Sequence, residues 1–206
     1  MKDQTDWVKK WQDGETRFHQ ASYHKELVEF SDKALKGVVF VPLCGKSRDM
    51  LFIMSKGHIV VGVELSPIAC REFFLENKIE FSESTSAGFT VFKSEKITLW
   101  CGDFFQLPPH VWKEINSVYD RAALVALPKD LRRQYVAEMK SRLQTGVSML
   151  LISFEYPDGS LEGPPFSVME EELRDIFSGT TIQNLNVKVE EVRAVQVKEI
   201  CYQINF

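Results

Sequence analysis

The sequence predicts an α/β protein built on a doubly wound, mostly parallel sheet with helices on both faces. Three observations lead there. Short apolar or β-branched runs alternate with amphipathic stretches along 206 residues, the pattern of strands feeding crossover helices. One of those runs, Ile59-Val60-Val61-Gly62-Val63, is almost wholly apolar, as strands are when both faces of a parallel sheet are covered. The chain then closes on two consecutive β-rich runs, which predicts an antiparallel C-terminal hairpin at one edge.

The elements follow in order. Val38-Val39-Phe40-Val41 is the first strand, β-branched and flanked by turn residues. A helix from Asp49 to Ser55 follows, with Gly57 placed for a left-handed cap. After the second strand, Ser66-Pro67 opens a helix: serine caps free amides and proline has no N–H to lose at the first position. Ala69, Phe73 and Phe74 give that helix its apolar stripe. Val91-Phe92 and Ile97-Thr98-Leu99-Trp100 read as strands, and Val118-Tyr119 begins another that leads into Ala122-Ala123-Leu124-Val125. Pro128 opens a long helix on Leu131, Tyr135, Met139 and Leu143, ended by Gly146. Val147 to Phe154 is the most apolar strand, and Ser167 and Glu170 stand in capping-box spacing ahead of a further helix. Val187 to Val197 and Ile200 to Phe206 form the closing hairpin.

Composition bounds the function. Residues 1–206 suit a single domain with its own core. Hydrophobic residues make up 44% and charged residues 26%, and 25 Lys+Arg against 29 Asp+Glu leave a net charge of −4. That lacks the basic footprint of a protein tracking a phosphate backbone, so nucleic acid is not expected as a partner. Cys44, Cys70, Cys101 and Cys201 are scattered without a C-x-x-C pair, so no metal site is expected and the thiols read as reduced and mostly buried. The first residues carry no signal-peptide core and nowhere do eighteen apolar residues run together, so a cytoplasmic protein with no membrane segment is expected.

A doubly wound sheet binds its ligand at the carboxyl ends of the strands, and those ends carry chemistry here. After the first strand comes Pro42-Leu43-Cys44-Gly45-Lys46-Ser47. Gly45-Lys46-Ser47 suggests a phosphate cradle, but a P-loop needs a second glycine where Phe40 stands, and a dinucleotide fingerprint needs three glycines. The second strand ends at Glu64, nineteen residues after Gly45, the spacing at which an acidic residue holds ribose hydroxyls. A solvated glutamate offering charge to the next helix fits that position equally well. Asp103, in Cys101-Gly102-Asp103-Phe104-Phe105, follows a third strand, where a carboxylate can accept from an adenine amino group while a phenylalanine packs on the ring. Taken together, these features describe an adenosine site without a phosphate cradle, and S-adenosylmethionine is the ligand of that kind.

At this point the chain resembles the thiopurine S-methyltransferase family. The resemblance rests on Trp7-x-x-x-Trp11, Gly14-x-Thr16-x-Phe18-His19, Val41-Pro42-Leu43-Cys44-Gly45-Lys46-Ser47, Gly57-His58-x-Val60-x-Gly62-Val63-Glu64-Leu65-Ser66, Gly102-Asp103-Phe104, Tyr119-Asp120-Arg121-Ala122-Ala123-Leu124 and Gly163-Pro164-Pro165-Phe166. It implies a seven-stranded Rossmann-like methyltransferase fold and methyl transfer from S-adenosylmethionine to a small thiol, leaving S-adenosylhomocysteine, in a monomer. By position it makes Trp7, Trp11, Leu43, Gly45, Glu64 and Arg121 donor-contacting residues, places Asp103 and Phe104 at the adenine, and turns Phe18 and Arg121 to the acceptor.

Such a reaction needs no metal and no covalent intermediate. An aromatic thiol is already acidic, so alignment of two bound reactants is the main contribution expected, on the order of 7–11 kcal/mol. Trp7 and Trp11, four apart, share a helix face that can cover a cation and exclude water, so residues 1–30 read as an N-terminal helical lid. The plainer alternative, a helix tacked to the core by its tryptophans, suits Trp7 better than Trp11. Arg121 reads as the residue that steers the acceptor, against the alternative of a surface pair with Asp120 worth little. His19 and His58 are the histidines nearest the motifs, and an ionised thiol requires neither as a base. Gly163 stands where amino-methyltransferases of nucleic acids keep an amine-binding Asp or Asn, so its loop reads as a wall of a small pocket. The Trp-free segment Arg193 to Lys198 departs from the mammalian pattern, which leaves other soft nucleophiles (halide, hydrosulfide, selenium or tellurium species) as alternative acceptors. A donor-binding protein without catalysis is the alternative of another class.

Overall fold

The computed structural model describes residues 4–16 and 20–206. Helices α1 (Gln4–Gln12) and α2 (Lys25–Ala34) precede β1 (Val38–Pro42), α3 (Asp49–Ser55), β2 (Ile59–Glu64) and α4 (Pro67–Glu76). A hairpin of β3 (Ser82–Ser86) and β4 (Phe89–Lys93) leads to β5 (Ile97–Cys101), a 3-10 turn at Phe104–Gln106 and the short α5 (Pro109–Trp112). Then come β6 (Ser117–Arg121), a 3-10 turn at Leu124–Ala126, α6 (Lys129–Arg142), β7 (Ser148–Glu155), α7 (Glu170–Ile176) and the long hairpin β8 (Thr181–Val192) and β9 (Val195–Asn205).

The strands form one sheet in the order β3-β4-β5-β2-β1-β6-β7-β9-β8. Its centre, β5-β2-β1-β6-β7, is parallel throughout, and each edge is an antiparallel hairpin. Among the described residues nine strands stand where the resemblance implies seven, because β3 and β4 add a hairpin at the second edge. Every residue of β3 is exposed, and its sequence Ser-Glu-Ser-Thr-Ser offers little to a further strand.

Two cores cover the two faces. Phe40, Val118, Met149 and Leu151 meet Trp112, Tyr135 and Phe177 on one side. Val39, Val41, Tyr119, Leu150 and Ile152 meet Leu27, Met50, Ile53, Phe73 and Phe74 on the other. Full burial of such side chains contributes about 1.5–3 kcal/mol each, and the alternation along β1 and β7 puts successive residues into opposite cores.

Four local expectations need correction. The strand begun at Val118 stops at Arg121, because Ala122 turns to φ 64° and the chain enters a 3-10 turn. Ser167 caps nothing: α7 starts at Glu170 after Met169, and the Ser167 hydroxyl instead bonds the backbone of Tyr156, closing the intervening loop onto β7. Helix α6 ends at Arg142, ahead of Gly146. The closing hairpin turns at Arg193-Ala194, both at positive φ (51° and 62°), the backbone of a two-residue turn. Lys198 and Glu199, the expected turn, stay in β9 opposite Glu155 and Phe154.

Helix α2 buries Leu27 and Ser31 and packs on β7. It therefore belongs to the body of the domain, and a lid reaching to residue 30 would cut through it. No helix among the described residues is long and apolar enough to cross a membrane.

Candidate functional site

The chain winds outward from β1 in two directions, so the loops after β1 and β6 diverge and leave a crevice between them. Both loops begin with a non-glycine residue in the left-handed region, Leu43 at φ 46° and Ala122 at φ 64°. For an L residue this costs about 1–2 kcal/mol, and such strain gathers where backbone direction serves a site.

On the β2 side of the crevice the loop is held by backbone bonds. Cys44 N–H donates to Val63 O at 3.0 Å. Gly45, at φ 52°, donates its N–H to Glu64 Oε2 at 2.8 Å. Ser66 N–H donates to Glu64 Oε1, also at 2.8 Å. Burial pushes the Glu64 carboxyl above the usual carboxylate range, and the amides of Ser66, Gly45 and Leu65 oppose that rise. A carboxylate has about four lone-pair sites; the amides of Gly45, Ser66 and Leu65 draw on three of them, which leaves capacity for a ribose hydroxyl. Glu64 is thus buried and fixed, not a solvated charge.

Gly45 also lies directly under α1. A Cβ there would stand 2.9 Å from Trp11 Cζ2, so only glycine lets the buried indole settle on this loop. Lys46 does not reach for a phosphate: its Nζ lies 2.7 Å from both Glu72 and Glu76 on α4 and 5.9 Å from the Trp11 ring centroid. Trp7 is half-buried with Lys10 Nζ 4.6 Å from its ring centroid.

Asp103 sits at the next strand end, half-buried, and accepts from Phe105 N–H at 3.0 Å to cap its own turn. Phe104 goes elsewhere. Its ring is buried among Phe40, Trp112 and Tyr135, with centroids 6.3, 5.6 and 4.7 Å away. The side chain expected on the adenine packs in the core, while Phe105 remains half-buried at the surface of the turn.

Across the crevice, Arg121 ends β6 with its Nη1 3.9 Å from Asp49 Oδ2. Its partner is not Asp120. Successive strand residues face opposite ways, and Asp120 is fully buried in the other core, accepting from Tyr135 O–H at 2.6 Å and Leu124 N–H at 3.1 Å. Burial raises the Asp120 carboxyl to about 6.

Asp49 is the junction that the sequence did not flag. Buried at the head of α3, it accepts from His24 N–H at 2.8 Å and from Tyr119 O–H at 2.9 Å, and it faces Arg121. One carboxylate so joins the start of α2, the end of β6 and the helix after the Gly45 loop. His24 Nε2 lies 3.4 Å from Glu199 Oε2 on β9, and Lys188 on β8 pairs with both Glu26 and Glu199.

The Gly163-Pro164-Pro165-Phe166 loop flanks the same side. Phe166 N–H donates to Val125 O at 2.6 Å and Tyr156 O–H to Pro165 O at 2.7 Å. The Phe166 ring fills the space a side chain on Gly163 would need. Both X-Pro bonds in this loop are cis.

Three of the cysteines that look scattered in sequence come together. The Cys70 thiol hydrogen-bonds Cys101, Cys44 lies within electrostatic reach of both, and Cys101 sits opposite Glu64 in the β2–β5 register. Burial pushes Cys44 well up, and the bond from Cys70 lowers Cys101. Phe18 and His19 lie outside the described residues.

Comparison with known proteins gives a consistent result. Residues 2–204 match the model of the thiopurine S-methyltransferase family. A thiopurine S-methyltransferase of Marinobacter nauticus is 39% identical over 174 residues, covering 83% of this chain and 80% of its own. One from Pseudomonas putida is 38% identical over 196 residues, covering 94% and 88%. Among solved structures, a SAM-dependent methyltransferase from Anabaena variabilis superposes with a TM-score of 0.67 at 14% identity, over 98% of this chain and 93% of that one. Magnesium protoporphyrin IX methyltransferase from Synechocystis, with bound SAH, gives 0.64 at 13% identity over 99% and 100%. At those identities the structures speak for the Rossmann-like methyltransferase fold alone.

Proposed function

Because the chain belongs to the thiopurine S-methyltransferase family, we propose that the crevice between β1 and β6 is where it methylates the sulfur of a small aromatic or heterocyclic thiol. The protein is an S-adenosylmethionine-dependent methyltransferase. When bound, S-adenosylmethionine supplies an electrophilic methyl group on a sulfonium sulfur and leaves as S-adenosylhomocysteine.

The observation that carries the assignment is the Glu64 carboxylate, pinned by Gly45 N–H and Ser66 N–H with lone-pair capacity to spare. In this reading Glu64 takes the ribose diol, Asp103 takes the adenine amino group, and Leu43 and Gly45 present backbone to the donor. Phe104 supports the adenine side from within the core. Trp11 covers the donor from above Gly45, with Trp7 beside it, so α1 and the segment up to residue 23 act as the lid. Arg121 holds the acceptor, with Phe18 as its second contact, and shares in binding the donor. The chain's own work is alignment and exclusion of water. A monomer in a reducing cytoplasm suits four cysteines that form no disulfide.

Methyl transfer from labelled S-adenosylmethionine across aromatic thiols, thiopurines, sulfide, iodide and selenite tests this. Turnover on aromatic thiols or thiopurines is the expected result. Turnover only on inorganic species would replace the acceptor class, and donor binding with no turnover on any acceptor would remove the catalytic reading.

A further inference from the structure

We infer that His24 is the proton acceptor that lets this site use thiols which are not already ionised. The inference rests on the thiol-methylating reading above and on three features of one buried cluster.

The first is the position of His24. It caps α2 at the carboxyl edge of the sheet, its backbone N–H donates to Asp49 Oδ1 at 2.8 Å, and the other oxygen of that carboxylate faces Arg121. The imidazole therefore belongs to the same knot of charge as the acceptor-holding arginine.

The second is its tautomer. Nε2 lies 3.4 Å from Glu199 Oε2. The bond from His24 holds the Glu199 carboxyl below the usual carboxylate range, with Lys188 and Arg121 adding to the effect. An ionised carboxylate can only accept, so Nε2 carries a proton, and in the neutral ring Nδ1 then carries the lone pair.

The third is the unused atom. His24 is more than nine-tenths buried, and Nδ1 has no hydrogen-bond partner among the described residues. A buried polar atom left unpaired costs about 1–3 kcal/mol, and groups kept so ask for a role. A base oriented by a carboxylate on one nitrogen, with the other nitrogen unpaired, is the arrangement that activates nucleophiles in hydrolases.

The step balances without any further reactant. The S–H proton of the acceptor passes to Nδ1, the sulfur lone pair forms the new C–S bond, and the sulfonium C–S bond breaks to leave a neutral thioether. Glu199 stabilises the imidazolium until its proton returns to water. The charged groups facing His24 are Asp49 from α3, Glu199 from β9, Lys188 from β8, Glu26 from its own helix, and Arg121 with Tyr119 from β6 behind Asp49.

The test compares two acceptors at about pH 7.5: an aromatic thiol such as thionitrobenzoate, already ionised, and an alkyl thiol as acidic as free cysteine, with a pKa of about 8.5. About one alkyl thiol in eleven is ionised there, so loss of the base can cost it no more than about tenfold. H24Q is expected to lose about that much in kcat/KM on the alkyl thiol and less than twofold on the aromatic one. Raising the pH past 8.5 should restore H24Q on the alkyl thiol, which a structural defect would not allow. E199Q should show a weaker form of the same selectivity. A second readout needs no turnover: alkyl thiol bound to donor-free enzyme should show the ultraviolet absorbance of a thiolate, and H24Q should abolish it. Equal losses on both acceptors, or no loss on either, would overturn the proposal. Absence of turnover on both thiols with the wild-type enzyme would strike the thiol reading itself.

Discussion

The two banks of the crevice are built differently. On the donor bank, at the ends of β1, β2 and β5, the bonds are made by backbone amides over short distances in sequence: Gly45 reaches Glu64 across nineteen residues. On the acceptor bank, formed by β6 to β9, charged and polar side chains meet from far apart, with sequence separations of 175 for His24 and Glu199 and 160 for Glu26 and Asn186. A backbone-held bank is fixed by the strand–loop–helix path itself. A side-chain-held bank can be rewritten one residue at a time, which suits the half of a methyltransferase that must choose its acceptor.

The sharpest way to break the comparison is at Glu64. E64A would orphan the Gly45 and Ser66 amides and remove the ribose acceptor together. With hydrogen bonds to charged groups worth about 1.5–3 kcal/mol, S-adenosylhomocysteine affinity measured by calorimetry should fall by about 100-fold. A folded E64A protein binding within threefold of wild type would dissolve the donor bank as described.

Asp120 is the next largest effect, and it concerns stability. Burial raises its carboxyl from 3.8 to about 6, so the folded state holds this proton more tightly than the unfolded state. Its contribution to stability is therefore full below about pH 4 and is lost as pH rises through 6, a cost on the order of 3 kcal/mol. D120N removes the charge. The stability of D120N relative to wild type, from urea unfolding, should rise by about 2 kcal/mol between about pH 4.5 and 7.5. A constant difference across that range would mean that the buried carboxyl carries no such cost.

Arg121 separates the two banks directly. R121A should lower kcat/KM for the acceptor by about 30-fold, near 2 kcal/mol, and leave S-adenosylhomocysteine affinity within about threefold. Equal losses in both would move Arg121 to the donor bank.

This asymmetry also explains what could be read from the sequence. The parallel centre, the loop after β1 and the place of Glu64 follow from local spacing and apolar runs, and they stand where the sequence put them. Asp49 and His24 carry no local sign. One is an acidic residue in a first helical turn, the other a histidine before a helix, and each gains meaning only when β6 and β9 fold against it. The alternative of an Asp120–Arg121 surface pair rested on adjacency in sequence, and the pleat sends the two side chains to opposite faces. Phe104 teaches a related lesson: its motif marks the strand end, but packing against Phe40 and Tyr135 decides where the ring goes.

The smallest effect tests whether both banks share one device. Leu43 and Ala122 open the two diverging loops, and both hold left-handed backbone without being glycine. Replacing Ala122 by glycine relieves about 1–2 kcal/mol of crowding but gives the unfolded chain more freedom, which returns up to about 1 kcal/mol. A122G should therefore be more stable than wild type by about 0.5–1 kcal/mol in urea unfolding. If the left-handed turn serves only to aim Arg121, the glycine variant keeps its donor affinity and loses part of its acceptor kcat/KM as the loop loosens. A stabilised A122G with unchanged acceptor kinetics would show that the turn is dictated by the path from β6 into its 3-10 turn, and that the aim of Arg121 comes from Asp49 alone.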